Sequence, residues 1–385
     1  MSATLRADRS VTSAVVGIVG GGQLARMTHQ AAIGLGVEVV VLTPGADDPA
    51  VSAGARHLPG DPDDLGALRA LADTCDVVTL DHELVPRQHL QALIDAGHQV
   101  RPGPATLALA QDKGLARRHL ADAGFPVPAF TEVPAGDVDA VAAFAAEHGW
   151  PVVLKWPTGG YDGRGVLVVE AAADLPDPGA GDGRWLLEEH VALAAELAVL
   201  VARRPSGWSV TYPLVETTQV DGTCRELVMP AVVAPELEAR ALALARSIAD
   251  GIDAVGILAV ELLVADDGRL LVNELATRPH NSGHATIEGS ATSQFENHLR
   301  AVLDWPLGDT AMRGPAAAMV NLLGPDHALD ARQVPAALAD PRVHVHLYGK
   351  AWRPGRKLGH VTALGDTTDD ALDAARAGAA ALEAR

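Results

Sequence analysis

Residues 258–274 read LAVELLVADDGRLLVNE, an apolar run from Leu258, an Asp267-Gly268 pair, and a second apolar run ending on Asn273-Glu274. Two apolar runs about an Asp-Gly pair spell a β-hairpin, because that dipeptide takes the positive-φ turn that suits strand twist. With Asp267 and Gly268 as the central pair, Glu261 stands directly opposite Glu274. Like charges facing each other destabilise a sheet, and a bare carboxylate inside an apolar strand is costly. A divalent cation held between the two resolves both problems. Two carboxylates plus phosphate oxygens suit Mg²⁺, with Mn²⁺ as a substitute. The competing reading is two exposed glutamates neutralised by arginines such as Arg269. A one-residue shift of the turn would also remove the direct pairing.

Working upstream, Lys155 lies in the apolar strand Val152 to Trp156. Such a lysine commonly snorkels to solvent. The neighbouring segment argues for more, because Thr158-Gly159-Gly160-Tyr161-Asp162-Gly163-Arg164-Gly165 carries four glycines where a plain hairpin needs one. A loop of that kind leaves N–H groups free to close over a triphosphate, with Lys155 and Lys113 as cations beside it. Leu186 to Val191 reads as a strand running into a linker. Its backbone could meet an adenine edge, or it could be an ordinary strand end.

At the amino-terminal side, Val15 to Val19 is a buried strand, followed by Gly20-Gly21-Gly22, a helix from Gln23 to Leu35 and a strand from Val37 to Leu42. This is the opening of a parallel α/β unit. Its glycine turn and helix N-terminus could approach a phosphate. A dinucleotide-dependent dehydrogenase would place an acid at the end of the second strand, but Leu42-Thr43-Pro44-Gly45 has none before Asp47. A purely structural turn is the other reading. Asp76 to Leu80 and His98 to Val100 read as later strands, so a first domain spans 14–112 after a lead-in of 1–13.

A second unit, 113–310, begins with helices at 112–123 and 137–148. Strands follow at 152–156, 166–170, 184–188 and 196–203. A helix at 237–249, the hairpin strands 256–265 and 270–275, and a helix at 285–302 complete it. The segment Arg278-Pro279-His280-Asn281-Ser282-Gly283-His284 reads as a substrate-contacting loop, with Asn281 and Ser282 as donors; its histidine pair is only a weak zinc signal without a third ligand. The tail, 311–385, reads as a small β-rich domain with an alanine-rich final helix. It holds Lys350, Arg353, Arg356 and Lys357 within eight residues. These form either a solvated turn or an anion site.

A chain of 385 residues needs more than one core. Its net charge of −19 argues against nucleic acid or an anionic membrane as a partner. The two cysteines, Cys75 and Cys224, show no zinc spacing and suit a reducing cytoplasm. The first residues lack the apolar stretch of a signal peptide, and no membrane span is expected.

Taken together, GGGQLARM (20–27), GGYDGRG (159–165), NELATRPHNSGH (273–284), SQFENHLRA (293–301) and RPGRKLGH (353–360) resemble the N5-carboxyaminoimidazole ribonucleotide synthetases, ATP-grasp enzymes of purine synthesis. The resemblance runs over residues 14–362. It implies an ATP-grasp fold with a Rossmann-like domain before it and a small β-rich domain after it. It also implies ATP-dependent carboxylation of aminoimidazole ribonucleotide with bicarbonate through carboxyphosphate, in a cytoplasmic homodimer. By position, ATP would meet Lys113, Lys155, Gly160, Gly163, Gly165, Glu188, Val191, Glu196 and Asn273, and Mg²⁺ would meet Glu261 and Glu274. The ribonucleotide would meet Gly22, Gln23, Leu24, Glu83, Ser282 and one or more of Lys350, Arg353, Arg356 and Lys357. Tyr161, Asp162, Arg164 and Asn281 would stand closest to the chemistry.

Departures from the pattern are Gln219 where a histidine is common, Thr277 for a proline, Ala195 for a glycine, and Asp81-His82-Glu83 for an E-F-E run. Another ATP-grasp ligase, biotin carboxylase-like or acting on glycinamide ribonucleotide, is the near alternative. A non-catalytic nucleotide-binding module is the distant one.

Overall fold

The computed structural model describes residues 14–159, 165–177, 183–220 and 222–384. Four parallel strands, β1 (Val15–Val19), β2 (Glu38–Thr43), β3 (Arg56–Pro59) and β4 (Val77–Leu80), form the first sheet in the order β3-β2-β1-β4. Every residue of β1 is buried, as expected of a parallel strand covered on both faces. Helix α1 (Gln23–Leu35) buries Leu24, Ala25, Thr28 and Ala32, a helical stripe, and ends on Gly36 with φ 66°. The strand expected over His98–Val100 is reduced to one bridge between Val78 and Val100. Pro102, which has no N–H to donate, lies just beyond it.

The second unit opens with α2 (Lys113–Asp122), whose N-cap Asp112 accepts from Leu115 N. Next come β5 (Phe130–Pro134), α3 (Val138–His148), β6 (Val152–Lys155), β7 (Val166–Val169) and β8 (Arg184–Glu189). These strands form an antiparallel sheet in the order β5-β8-β6-β7, packed against α3 through Val141, Phe144, Trp185 and Leu187.

The remaining strands are β9 (Leu193–Arg203), β10 (Ser209–Thr211), β11 (Val215–Val220), β12 (Thr223–Met229), β13 (Gly256–Ala265), β14 (Leu270–Ala276), β15 (Ala316–Leu323), β16 (Val343–Leu347) and β17 (Lys357–Gly365). They make one nine-stranded sheet, β14-β13-β9-β11-β12-β15-β17-β16, with β10 paired to β9. The sheet therefore runs across residue 310. In the β12–β15 pairing, Glu226 to Met229 stand opposite Val320 to Ala317. Helix α4 (Pro235–Gly251) covers β9 and β13 through Ala241, Ala245 and Ile248.

The helix expected over 285–302 is broken. A single turn, Thr286–Gly289, is followed by Ser290 bridged to Met312, and only then by α5 (Gln294–Val302). Ser293 stops the chain from continuing as one helix, because its hydroxyl caps α5 by accepting from Glu296 N at 3.2 Å. The final helix, α6 (Thr368–Glu383), packs its buried alanines on β15 and β17. Among the described residues no helix is long and apolar enough to cross a membrane.

Candidate active site

Glu261 and Glu274 stand opposite each other, by a route the sequence does not display. The turn is one residue longer than the two-residue form, since Ala265 N donates to Arg269 O at 2.9 Å around Asp266, Asp267 and Gly268. That offset alone would place Glu274 out of line with Glu261. A bulge at Asn273 restores the register, with Leu262 opposite Val272 and Glu261 opposite Glu274. A bulge also turns two consecutive side chains towards one side. Asn273 Nδ2 accordingly reaches Glu261 Oε2 at 3.4 Å. Arg269 pairs with Glu189 and Asp267 instead, so the arginine-neutralised reading does not hold.

The two glutamates lie on a cleft floor, with 30% and 44% of their side-chain surfaces accessible. Burial, then the charges of Glu274 and Glu196, push the Glu261 carboxyl up to about 7. Burial also acts on Glu274, but Lys113, with Lys155 and His280, outweighs it and holds that carboxyl below the usual range. Lys113 Nζ is 2.9 Å from Glu274 Oε1. Two facing carboxylates, one of them short of positive charge, and a neighbouring amide form a hard-oxygen donor set suited to a divalent cation. Among the described residues no group of three or more His, Cys, Asp or Glu is arranged for a metal.

Lys155 does not snorkel; it is buried, and its Nζ lies 2.7 Å from Glu188 Oε2 and donates to Asn273 Oδ1 at 3.2 Å. The other oxygen of Glu188 accepts from Arg117 Nε at 2.6 Å. Burial would raise the Glu188 carboxyl, but Lys155 and Arg117 bring it down to about 2. The Glu188 side chain is thus committed inside the protein, and only its backbone is left for a nucleotide edge. Val191 is buried with Ala265 and Leu271. Glu196 on β9 is opposite Leu263 and Thr217, and burial raises its carboxyl. Of the glycine-rich segment, Gly159 and Gly165 are described, both at positive φ. Gly160, Tyr161, Asp162, Gly163 and Arg164 lie outside the described residues.

The glycine turn of the first domain is tied to its own sheet. Gly22 N and Ala25 N both donate to the Asp81 carboxylate at 2.7 Å, so two of the amides at the α1 N-terminus already hold an anion of their own domain. A Cβ on Gly22 would stand 2.5 Å from Asp81 Oδ2, which is why this position needs glycine. Leu24 is buried against Met27, Phe295 and Tyr348, and Gln23 is half-buried. Glu83 is brought to the second unit, with Arg278 Nε 2.7 Å from its Oε1.

The 280–284 segment reaches the carboxylates through a residue not singled out from sequence. His280 Nε2 is 3.5 Å from Glu261 Oε1, and its Nδ1 is 2.9 Å from Ser282 Oγ. The Asn281 amide exchanges two hydrogen bonds, of 3.0 and 2.8 Å, with Asn321 of β15, which fixes its orientation. Ser282 is buried. His284 is buried and packed against His360 and Phe295. The segment is held by Gln294, which accepts from His280 N at 2.8 Å and donates to His280 O at 2.7 Å.

Of the four cations of the tail, three precede β17 and the fourth is its first residue. Lys350 Nζ sits 5.7 Å from the Tyr348 ring centre, Arg356 Nη1 donates to Ala351 O at 3.1 Å, Arg353 is exposed, and Lys357 opens β17. The rings of His284 and His360 lie 4.8 Å apart, so the strand that Lys357 opens runs against the 280–284 segment. Arg117, Arg278, His280, Asp81 and Gln294 escaped the sequence reading as site residues. The polar run 278–284 hinted at Arg278 and His280, and the quoted stretches 81–83 and 293–301 contain Asp81 and Gln294.

Three family models match in chain order: a ribonucleotide synthetase preATP-grasp domain over residues 13–111, an ATP-grasp domain over 118–295, and a phosphoribosylaminoimidazole carboxylase C-terminal domain over 317–374. Fold and site together define an ATP-dependent ligase of the ATP-grasp class. The chain is 48% identical over 371 residues to the N5-carboxyaminoimidazole ribonucleotide synthase of Mycobacterium tuberculosis, covering 92% of this chain and 85% of that one. It is 44% identical to the enzyme of the same name from Corynebacterium ammoniagenes, with 91% and 88% covered. The Aspergillus clavatus N5-carboxyaminoimidazole synthase, solved with ADP and 5-aminoimidazole ribonucleotide, superposes with a TM-score of 0.89 at 33% identity, covering 96% of this chain and 99% of that one. The chain belongs to the N5-carboxyaminoimidazole ribonucleotide synthase family, whose members are ligases of purine biosynthesis.

Proposed function

We propose that this chain carboxylates aminoimidazole ribonucleotide at the floor defined by Glu261, Asn273 and Glu274. The observation that carries the assignment is the pair of facing carboxylates flanked by Lys113 and Lys155. In this reading Glu261 and Glu274, with Asn273 alongside, hold Mg²⁺, which when bound neutralises phosphate charge and orients the transferring phosphoryl group. Lys113 and Lys155 place positive charge beside the same phosphates, and the glycine-rich segment 158–165 offers them backbone N–H groups. Bicarbonate then receives the γ-phosphoryl group, giving ADP and carboxyphosphate. The acceptor amine takes the carboxyl group and releases phosphate.

Carboxyphosphate is short-lived in water, so its acceptor must lie alongside. The Glu83–Arg278 ion pair supports a ribonucleotide seat where the first domain meets the 280–284 segment. His280, beside Glu261, stands near the reacting groups on this reading, and Lys350 to Lys357 anchor the ribonucleotide phosphate from the tail. A homodimer and a cytoplasmic setting accord with the family resemblance and the sparse cysteines. The test is Glu274→Gln, which keeps the shape and removes the charge. Turnover should fall at least about a hundredfold, with the thermal transition preserved. Near-parental turnover at saturating Mg²⁺ would sink the metal assignment.

A further inference from the structure

We propose that Arg117 is a positioning residue for the nucleotide phosphates, acting through Glu188 on Lys155. The proposal rests on the reading of Lys155 as a phosphate-binding cation. Helix α2 carries Lys113 and Arg117 one turn apart, so both project from one face. Lys113 reaches Glu274 directly. Arg117 works at one remove: its Nε holds Glu188 Oε1 at 2.6 Å, while Oε2 is 2.7 Å from Lys155 Nζ. Lys155 is thereby fixed with a further contact on Asn273, next to the facing carboxylates. Arg117 keeps only 3% of its side-chain surface exposed and spends its Nε on Glu188, so it acts from inside the protein rather than from the cleft.

Charge counting explains why an arginine stands there. A lone Lys155–Glu188 pair would be neutral, and its lysine would attract phosphate weakly. Sharing Glu188 with Arg117 leaves the buried trio one positive charge in surplus, exposed to the cleft only through Lys155. Buried charge trios are poor fold stabilisers, because desolvation offsets their attraction. One whose two inner members each keep only 3% side-chain exposure is better explained by the anion it awaits.

The experiment compares Arg117→Gln, which keeps a donor to Glu188 and drops the charge, with Arg117→Lys, which keeps the charge. Lys155→Gln is measured in parallel, and each variant is melted to confirm folding. Arg117→Gln should raise the KM for ATP on the order of tenfold and leave that for the ribonucleotide unchanged. It should also move the acid limb of the kcat/KM profile for ATP to higher pH, because Glu188 has lost one of the two cations that keep it ionised. Arg117→Lys should restore both. Equal ATP constants for the Gln and Lys variants, or an equal rise for the ribonucleotide, would overturn the inference. If Lys155→Gln raises the ATP constant and Arg117→Gln does not, only the role of Arg117 falls. If Lys155→Gln has no effect, the phosphate reading of Lys155 falls first, and the inference with it.

Discussion

The glycine turn at residues 20–22 and the glycine-rich stretch at 158–165 look like the same device in sequence, yet their surroundings are opposite in sign. Around the first turn, glycines are required by crowding, and two of the helix amides they expose are already bonded to Asp81. Just before the second, Lys113 N donates to Pro157 O at 2.8 Å, and the side chains of Glu261 and Glu274 stay partly accessible. A Cβ on Gly159 would meet nothing within 4 Å. At the first turn two amides already hold a carboxylate of the same domain, whereas Gly159 has open space around it. Glycine content therefore marks where backbone must come close or bend, and the neighbouring charges decide whether a phosphate belongs there.

The sharpest way to break this contrast is Asp81→Ala. Two amides lose a carboxylate at 2.7 Å each, so stability should drop by about 3 kcal/mol, read from urea unfolding. A drop below about 1 kcal/mol would mean that the amides do not depend on Asp81 and are available to a ligand after all. A smaller effect should appear at the other region on acidification. The Glu261 carboxyl, raised to about 7 by burial and then by Glu274 and Glu196, must be ionised to hold a metal. Proton and Mg²⁺ then compete below that pH. The Mg²⁺ concentration for half-maximal rate should climb by up to about tenfold per pH unit below about 7 and level off above about 8. A flat dependence from about pH 6 to 8 would remove Glu261 from the metal site. The mildest test is Gly159→Ala. With φ at 78° and open space around it, the substitution should cost only about 1 kcal/mol. A loss several times larger in thermal unfolding would show that Gly159, like Gly22, is packed.

Local pattern carried the reading of single elements well. Helix α1 and strand β13 stand where spacing and apolar runs place them, because each is decided by its own residues and the core face they present. The facing of Glu261 and Glu274 was legible too, although the turn is longer than its Asp-Gly pair suggests and the bulge at Asn273 compensates. The contacts that sequence hid span long separations. Arg117 meets Glu188 71 residues away, Asn281 meets Asn321 40 residues away, and Asp81 meets Gly22 59 residues away. Periodicity reports which face is buried and says nothing about which distant polar group will be found there. The break in 285–302 escaped for a related reason, since Ser293 caps α5 while the preceding Ser290 bridges to Met312.

Pairing of β12 with β15 has a consequence for how the chain can be divided. Counting along the sequence, residue 310 is a natural place to cut. In space, a cut there would strip the partner from Glu226 to Met229 and leave β12 as a raw edge, its backbone donors and acceptors offered to any passing strand. The last 75 or so residues thus serve as the hem of the catalytic sheet. Asn321, which holds Asn281 from β15, lies in that hem.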